Sequence, residues 1–299
     1  MKANQSKYRE IASIPTGYVS LDRILGLGGV PLRKITEISG VYSVGKSTLA
    51  LTITAQAQKE GMETLWADTE FAFDDAYATS LGVDCDQLDL IQEEFAELVL
   101  DQIEEWARDH KKALIVIDSI GGLLPRAEAE KGAEGRVIGA QAKLIATFCR
   151  KIVPKLAINN ISLIVLNHEF TDLMSGKLMT SGGAKLGYHK SIWLRLKKAN
   201  KRIMKGTQQV GDVIIAEIRK NKVAPTSKQE CELQLLYGEG FMKGADLMET
   251  ALQKGIISKQ GQSFVFEGEK IARGQAALRE LFKDESFAAK VEEKLNASL

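Results

Sequence analysis

The chain has 299 residues, 44% hydrophobic and 26% charged, with a formal net charge of +1. That is the composition of a soluble globular chain, long enough for one large domain and a small one. Its bulk charge neither favours nor excludes a polyanionic partner, so any such signal has to be local. No apolar run approaches the roughly 20 residues of a membrane span, and the N-terminal MKANQSKYREIAS has no apolar signal-peptide core. Cys85, Cys149 and Cys231 are far apart and follow no metal-ligand spacing, as do His110, His168 and His189. The expectation is reduced, buried thiols, no zinc site and a cytoplasmic setting.

In chain order, four short apolar runs read as strands buried on both faces: KITEIS (34–39), TLWADTE (64–70), ALIVIDS (113–119) and SLIVLNH (162–168). Helical segments separate them. SVGKSTLALTITAQAQKEG opens at a glycine-rich turn and stops at Gly61. EEFAELVLDQIEEWARDH puts Phe95, Leu98, Val99, Ile103 and Trp106 on one face. IGAQAKLIATFCRKIVPKLAI is a third long amphipathic candidate. This alternation implies an α/β fold with a mostly parallel sheet covered by helices on both faces. After Gly183, SIWLRLKK, DVIIAEIRK and ECELQLLYGEG alternate in twos and read as antiparallel strands extending that sheet. From Gly244 onward, short helices around one hairpin-like piece, GQSFVFEGEK, suggest a small separate C-terminal α+β domain. EKGAEGRVIG (130–139) and FTDLMSGKLMTSGG (170–183) stay unassigned; long polar loops at the carboxyl edge of a parallel sheet are where function usually sits.

GVYSVGKS, Gly40 to Ser47, fits G-x-x-x-x-G-K-[ST], follows a strand and opens a helix. Gly40 and Gly45 let backbone N–H groups approach phosphate oxygens, helped by the helix N-terminus. Lys46 reaches the β- and γ-phosphates, and the Ser47 hydroxyl ligates Mg²⁺. Asp118 closes an apolar strand, so its carboxylate emerges near the phosphates and should hold the magnesium through water. Ser43 and Thr48 complete the ATP-binding set. Glu70, ending TLWADTE, stands where it can polarise an attacking water; a helix cap or surface acid is the other reading.

One charge run calls for an explanation. In RKNKVAP, three cations fall within four residues at the end of the strand-like DVIIAEI. Such runs are ordinarily solvated faces; otherwise an anion must meet Lys220 and Lys222.

These blocks, in this order, resemble the RecA family of DNA recombinases. The resemblance runs from TGYVSLDRILGLGGVP to the C-terminus through GVYSVGKST, ADTEFAFDDAYATSLGVD, IVIDSIGGLLPRAE, LNH, TSGGAKL, RKNKVAP, LLYGEG and GEKIARG. DTEF and LNH look more like the phage recombinases of the UvsX type than the bacterial form. The resemblance implies a RecA-like ATPase core over 14–243, a short arm over 1–13, a C-terminal domain over 244–299, and DNA loops at about 130–139 and 169–183. It implies that Lys220 and Lys222 reach a neighbouring subunit's ATP, as arginine fingers do. It makes Glu70 the water-activating acid, Asp74 and Tyr77 the adenine contacts, and His168 the γ-phosphate sensor, with a satisfied core histidine as the other reading. Backbone N–H groups at Ser181, Gly182 and Gly183 suit close approach to DNA phosphate. Lys143 and Arg150 match phosphate contacts on one helix face, with a solvated face as the alternative, and Ile138 matches an apolar wedge between bases.

The chain departs from the family at several points. Its N-terminal arm is shorter, Tyr42 replaces a phosphate-loop acid, and Phe170 replaces a basic residue of a shortened second loop. Lys243 stands near the position of an aromatic over adenine, and the acidic C-terminal tail is replaced by the mixed-charge FAAKVEEKLNASL. The implied function is an ATP- and Mg²⁺-dependent homologous recombinase. It forms helical homo-oligomeric filaments on single-stranded DNA and pairs them with homologous duplex, with a single-strand-binding protein or mediator as a further partner. A non-catalytic mediator paralogue and a ring-forming motor on the same core are the alternatives.

Overall fold

Strand alternation sends every second apolar side chain to the opposite face, and that decides how the central strands are covered. A computed structural model describes residues 11–131, 139–171, 178–181, 183–226 and 229–297. Its first elements are β1 (Ser13–Ile14), α1 (Val19–Leu25), β2 (Val30–Pro31), β3 (Ile35–Gly40), α2 (Lys46–Lys59), β4 (Glu63–Asp68), α3 (Asp75–Ser80) and β5 (Leu88–Ile91). There follow α4 (Ala96–Asp109), β6 (Ala113–Asp118), α5 (Arg126–Ala129), α6 (Ala140–Asn159), β7 (Ile161–Thr171), β8 (Leu178–Thr180) and α7 (Gly183–His189). The antiparallel part comprises β9 (Ile192–Lys205), β10 (Gln208–Asn221), β11 (Glu230–Leu236) and β12 (Gly240–Phe241). The chain then passes through α8 (Lys243–Gln253), β13 (Ile257–Gln260), β14 (Ser263–Phe266), β15 (Glu269–Arg273), α9 (Gln275–Leu281) and α10 (Glu285–Ala297).

The main sheet runs β12-β11-β10-β9-β3-β7-β6-β4-β5, with β8 paired to β7. Ile38, Leu114, Val116, Ile164 and Leu166 face α2, whose Leu49, Ile53 and Ala57 are buried against them. Ile35, Ile115, Ile117, Leu163 and Val165 face α4 and α6, meeting Val99, Ile103, Phe148 and Ile152. β6 is therefore apolar at every position before Asp118, and β7 at five of its first six, because each feeds two cores.

Three readings of the sequence are corrected. SIWLRLKK does extend the sheet, but β9 runs parallel to β3 (Ile38 opposite Leu194) and antiparallel to β10, whereas β10 and β11 are antiparallel to both of their neighbours. The helix α7 between β7 and β9 is the reason: a crossover through a helix brings the next strand back in the same direction, whereas the tight turn after Lys205 reverses it. The hairpin-like piece GQSFVFEGEK belongs to a three-stranded antiparallel sheet, β13-β14-β15. Its first strand, ISKQ, carries one apolar residue and so gives no alternation. That sheet and α8 to α10 share a core of their own built on Met248, Ile257, Phe264, Leu278, Phe282 and Val291. Finally, β4 stops at Asp68, two residues before Glu70. The second loop is also entered and left through a hairpin, with Phe170 paired to Met179.

Candidate nucleotide and DNA-binding site

Parallel strands deliver their carboxyl ends to one edge. Gly40 lies level with His168, and Asp68 with Asp118. The phosphate loop, both acids and the start of the second loop therefore converge without any long excursion of the chain.

The loop needs its glycines for space as well as for backbone freedom. A Cβ on Gly40 would stand 2.5 Å from the Leu196 carbonyl oxygen, and one on Gly45, at φ +85°, would stand 2.8 Å from the Phe241 ring. Gly45 caps α2, so the helix's first free N–H groups open into the loop. Ser43, at φ +56°, adopts the left-handed conformation and is exposed. Lys46 is buried, and its Nζ donates to the carbonyls of Gly40 (3.2 Å) and Val41 (3.0 Å) and meets His168 Nδ1 at 3.3 Å. Burial pulls the Lys46 ammonium below its ordinary pKa, opposed by the charges of Asp118, Glu70 and Glu169. Thr48 Oγ1 shares a hydrogen bond with Tyr77 OH at 3.1 Å, and Asp74 caps α3 by accepting from Tyr77 N at 2.9 Å. Tyr77 thus stands against the first turn of α2, and Asp74 fixes the start of the helix that carries it. Lys243 opens α8, with its Cε 3.3 Å from where a Cβ on Gly17 would stand.

Burial pushes the Asp118 carboxyl up to about 6, against a hydrogen bond from Ser47, and the charges of Glu70 and Asp68 push in the same direction. A half-buried carboxylate with surplus negative neighbours, paired with a hydroxyl, is a hard-oxygen setting that a divalent cation would compensate. Among the described residues no group of three or more His, Cys, Asp or Glu could hold a metal alone. Magnesium commonly takes one or two protein oxygens and completes its shell with phosphates and water, so Ser47 and Asp118 fit it.

Glu70 is held from two sides. Ser119 Oγ donates to its Oε1 at 2.6 Å, and His168 Nε2 lies 3.1 Å from the same oxygen. Burial pushes the Glu70 carboxyl up, but these hydrogen bonds and the charge of Lys46 outweigh it and leave it below the usual carboxylate range. Glu70 is thus an ionised acceptor within the chain Lys46–His168–Glu70–Ser119, taking hydrogen bonds from both of its neighbours. Two residues that the sequence reading missed build this arrangement. Buried Asp68 accepts from Glu70 N (3.2 Å), Phe73 N (2.9 Å) and Gln92 Nε2 (2.9 Å), which folds the segment carrying Glu70. The other is Ser119. Its position directly after Asp118 is the only signal that pointed to it.

The second loop is anchored in the same place. Asn167 Nδ2 donates to Ser181 O (2.9 Å), and Ser181 N donates to Asn167 Oδ1 (3.1 Å). The Ser181 N–H, expected to be offered to phosphate, is therefore committed inside the chain. Gly183 starts α7 at φ +70° with Ala142 close by. Asn167 also reaches Glu37, whose carboxylate pairs with buried Lys190. Lys143 and Arg150 are both exposed on α6, with Arg150 Nη2 donating to Thr147 Oγ1 and Thr147 Oγ1 donating to Lys143 O. Ile138 and Gly182 lie outside the described residues.

Lys220 and Lys222 do not meet this chain's own phosphate loop. Lys220 lies opposite Trp193, itself level with Glu37, three residues before Gly40. That is about 10 Å back along the strand and two strands over. Lys220 Nζ instead donates to Gly187 O, and Lys222 Nζ to Tyr188 O at 2.9 Å. Asn221, between them, holds the turn: its Nδ2 donates to Leu25 O, and its Oδ1 accepts from Val223 N and Ala224 N.

A helix-flanked parallel sheet with a glycine-lined phosphate loop between β3 and α2, and acids on the neighbouring strand tips, defines a P-loop nucleotide-binding fold. Comparison with known proteins narrows this. The family model of the RecA N-terminal domain matches residues 1–242. "Protein RecA" of Fusobacterium nucleatum is 35% identical over 303 residues, covering 100% of this chain and 80% of the relative. "Protein RecA" of Thermus aquaticus is 35% identical over 302 residues, covering 98% and 88%. That of Sulfurimonas denitrificans is 35% identical over 304 residues, covering 100% and 88%. The chain belongs to the RecA family of DNA recombinases, for which filament formation and strand exchange are typical. Membership implies a DNA-dependent ATPase that binds nucleotide and single-stranded DNA and self-associates.

Proposed function

We propose that this recombinase hydrolyses ATP at composite sites between neighbouring copies in a cytoplasmic filament on single-stranded DNA. Lys46 and the loop N–H groups hold the phosphates, with Ser43 and Thr48 completing the loop's contribution and Asp74 and Tyr77 at the adenine. Ser47 and Asp118 hold Mg²⁺, which when bound neutralises charge on the phosphates. Glu70 takes the proton of the attacking water, and His168 senses the phosphate beyond Lys46. Lys220 and Lys222 of one copy serve the nucleotide of the next. Lys143, Arg150, Ile138 and the glycines at 182 and 183 face the DNA backbone and bases. Duplex DNA is the second substrate, and a single-strand-binding protein or mediator is the accessory partner. The residues divide naturally into a short arm over 1–13, an ATPase core over 14–243 and a C-terminal unit over 244–299.

The observation that carries this reading is the hydrogen-bonded chain from Lys46 through His168 to Glu70. It links the phosphate loop to the strand that enters the second loop. A mediator that never hydrolyses ATP has no use for an ionised, oriented Glu70. The test is negative-stain microscopy with single-stranded DNA and a non-hydrolysable ATP analogue, alongside DNA-stimulated ATP hydrolysis. Helical filaments with stimulated hydrolysis support the reading. Closed rings, or filaments without hydrolysis, would transfer it to the motor or the mediator.

A further inference from the structure

Tyr42 sits in the phosphate loop, 73% exposed, with its ring stacked on His168 at 4.5 Å between centroids and 26° between planes. No hydrogen bond of its hydroxyl is found among the described residues, so the ring is the part that acts. In the same loop Ser43 adopts the left-handed conformation and Val44 is fully buried.

We propose that Tyr42 is a positioning residue for ATP hydrolysis. Its ring fixes the plane of the His168 imidazole, and in that plane the two hydrogen bonds direct Nε2–H at Glu70 and turn Nδ1 to Lys46. This inference rests on the proposed role of Glu70 as the acceptor of the water proton.

The donor inventory fixes the tautomer. The Lys46 ammonium carries only donors, so the Nδ1 it meets at 3.3 Å accepts. The ring proton is then on Nε2, which donates to Glu70 Oε1 at 3.1 Å. A half-turn of the ring about its bond to Cβ would replace both nitrogens by C–H edges, and both bonds would be lost. A face-on aromatic neighbour holds the ring plane and hinders that turn, while the two hydrogen bonds select the edge that faces Glu70. The consequence falls on Glu70. Ser119 Oγ and His168 Nε2 both load Oε1, and among the described residues Oε2 has no hydrogen-bond partner. Oε2 is thus the oxygen left to take the proton of water. If His168 turns, the carboxylate loses one of its two guides, and its free oxygen is no longer set. When a polyphosphate draws Lys46 away from Nδ1, the Tyr42 stack and the bond to Glu70 are the restraints that stay on the ring.

The experiment compares Tyr42→Ala, Tyr42→Phe, His168→Gln and Tyr42→Ala/His168→Gln in steady-state, DNA-stimulated ATP hydrolysis by the full chain. Tyr42 is exposed, so its removal leaves the core closed. Tyr42→Ala should lower kcat about tenfold, the scale of a misplaced rather than missing group, with KM for ATP changed less than about twofold. Tyr42→Phe should restore the rate. In the His168→Gln background, Tyr42→Ala should cost less than about twofold, because the group it positions is gone. An equal loss in both backgrounds overturns the proposal, since Tyr42 would then act on nucleotide or a neighbouring copy directly. A raised KM at unchanged kcat overturns it likewise. A second readout does not depend on turnover. With ¹⁵N-labelled histidine, only three imidazoles contribute. His168 should show the Nε2–H form, and Tyr42→Ala should change its signals. Unchanged signals would overturn the proposal. A wild-type chain without DNA-stimulated hydrolysis would instead sink the reading of Glu70, while the imidazole spectra would still test the stack.

Discussion

Lys222 Nζ donates to the carbonyl oxygen of Tyr188 at 2.9 Å, and Lys220 donates to the preceding carbonyl, that of Gly187. Both acceptors belong to the last turn of α7, whose N-terminus is the exit of the second loop. The lysines therefore answer unpaired helix-end carbonyls in the single chain. Burial, with the charge of Lys222 adding to it, pulls the Lys220 ammonium below its ordinary pKa. A neighbour's phosphate is a stronger acceptor for both than a backbone carbonyl. Replacing both by alanine removes contacts at the surface of the sheet and leaves the two cores intact. Thermal unfolding of Lys220→Ala/Lys222→Ala should shift Tm by less than about 4 °C. A larger fall would make the pair structural.

Glu70→Gln keeps an acceptor oxygen for Ser119 and His168 but can no longer take a proton. ATP hydrolysis should fall by about 10²-fold or more, the range for a lost general base. Filaments formed with ATP should persist instead of turning over. Hydrolysis and microscopy on the same sample check this; a variant that neither binds DNA nor assembles would make Glu70 a structural acid.

Asp22 gives the fold a pH dependence of definite sign. Burial pushes its carboxyl up from 3.8 to about 7, against two hydrogen bonds from Thr16, and the charges of Asp246 and Glu292 add to the rise. The folded chain then holds this proton more tightly than the unfolded chain does. Stability from this group is present below the unfolded value and is lost as pH rises through about 7. Asp22→Asn keeps an acceptor for Thr16 N and removes the titration. Its Tm should vary less than that of wild type between pH 5 and pH 8, as followed by circular dichroism. Parallel profiles would assign the slope to other groups.

DNA binding should be largely insensitive to sequence and weaken steeply with salt, because backbone phosphates and released counterions dominate. Lys143→Ala and Arg150→Ala should each flatten the slope of log affinity against log salt by roughly one unit. Fluorescence titration at several salt concentrations measures it. Unchanged slopes for both would return that face of α6 to solvent.

What could be read from the sequence divides along a physical line. The convergence of Gly40, Gly45, Lys46 and Asp118 at one sheet edge was legible because a glycine-bearing strand-to-helix turn and an apolar strand end place them. The buried strands were legible because two-sided burial demands continuous apolar runs. Asp68 and Ser119 were not, since they act on Glu70 through hydrogen bonds whose partners lie on different strands. Neither residue type announces such a bond. The direction of β9 depended on whether the segment 183–189 was a helix, and GAKLGYH is too short for its periodicity to say. Asn221, which no pattern in the sequence singles out, binds both sides of the turn that presents the two lysines. The Ser181 N–H looked free because its acceptor, Asn167, lies fourteen residues earlier in the chain.

The composite site has the most direct test. A Lys220→Ala/Lys222→Ala chain keeps an intact phosphate loop but donates no lysines, and a Lys46→Ala chain has the opposite defect. Lys46→Ala also removes a charge-assisted contact worth about 1.5–3 kcal/mol at the phosphates, so each variant alone should be nearly inactive as a DNA-stimulated ATPase. In an equal mixture on single-stranded DNA, some junctions join an intact loop to intact lysines. Random mixing makes about a quarter of junctions complete, so a comparable fraction of wild-type hydrolysis should return where junctions act independently. Both defects also weaken ATP-driven assembly, so microscopy must first establish that filaments containing both chains form. With such filaments in hand, restored hydrolysis places the lysines on the neighbour's nucleotide. Its absence would place them in cis or on DNA, and the register that sets Lys220 beside Trp193 rather than beside Gly40 argues against the cis alternative.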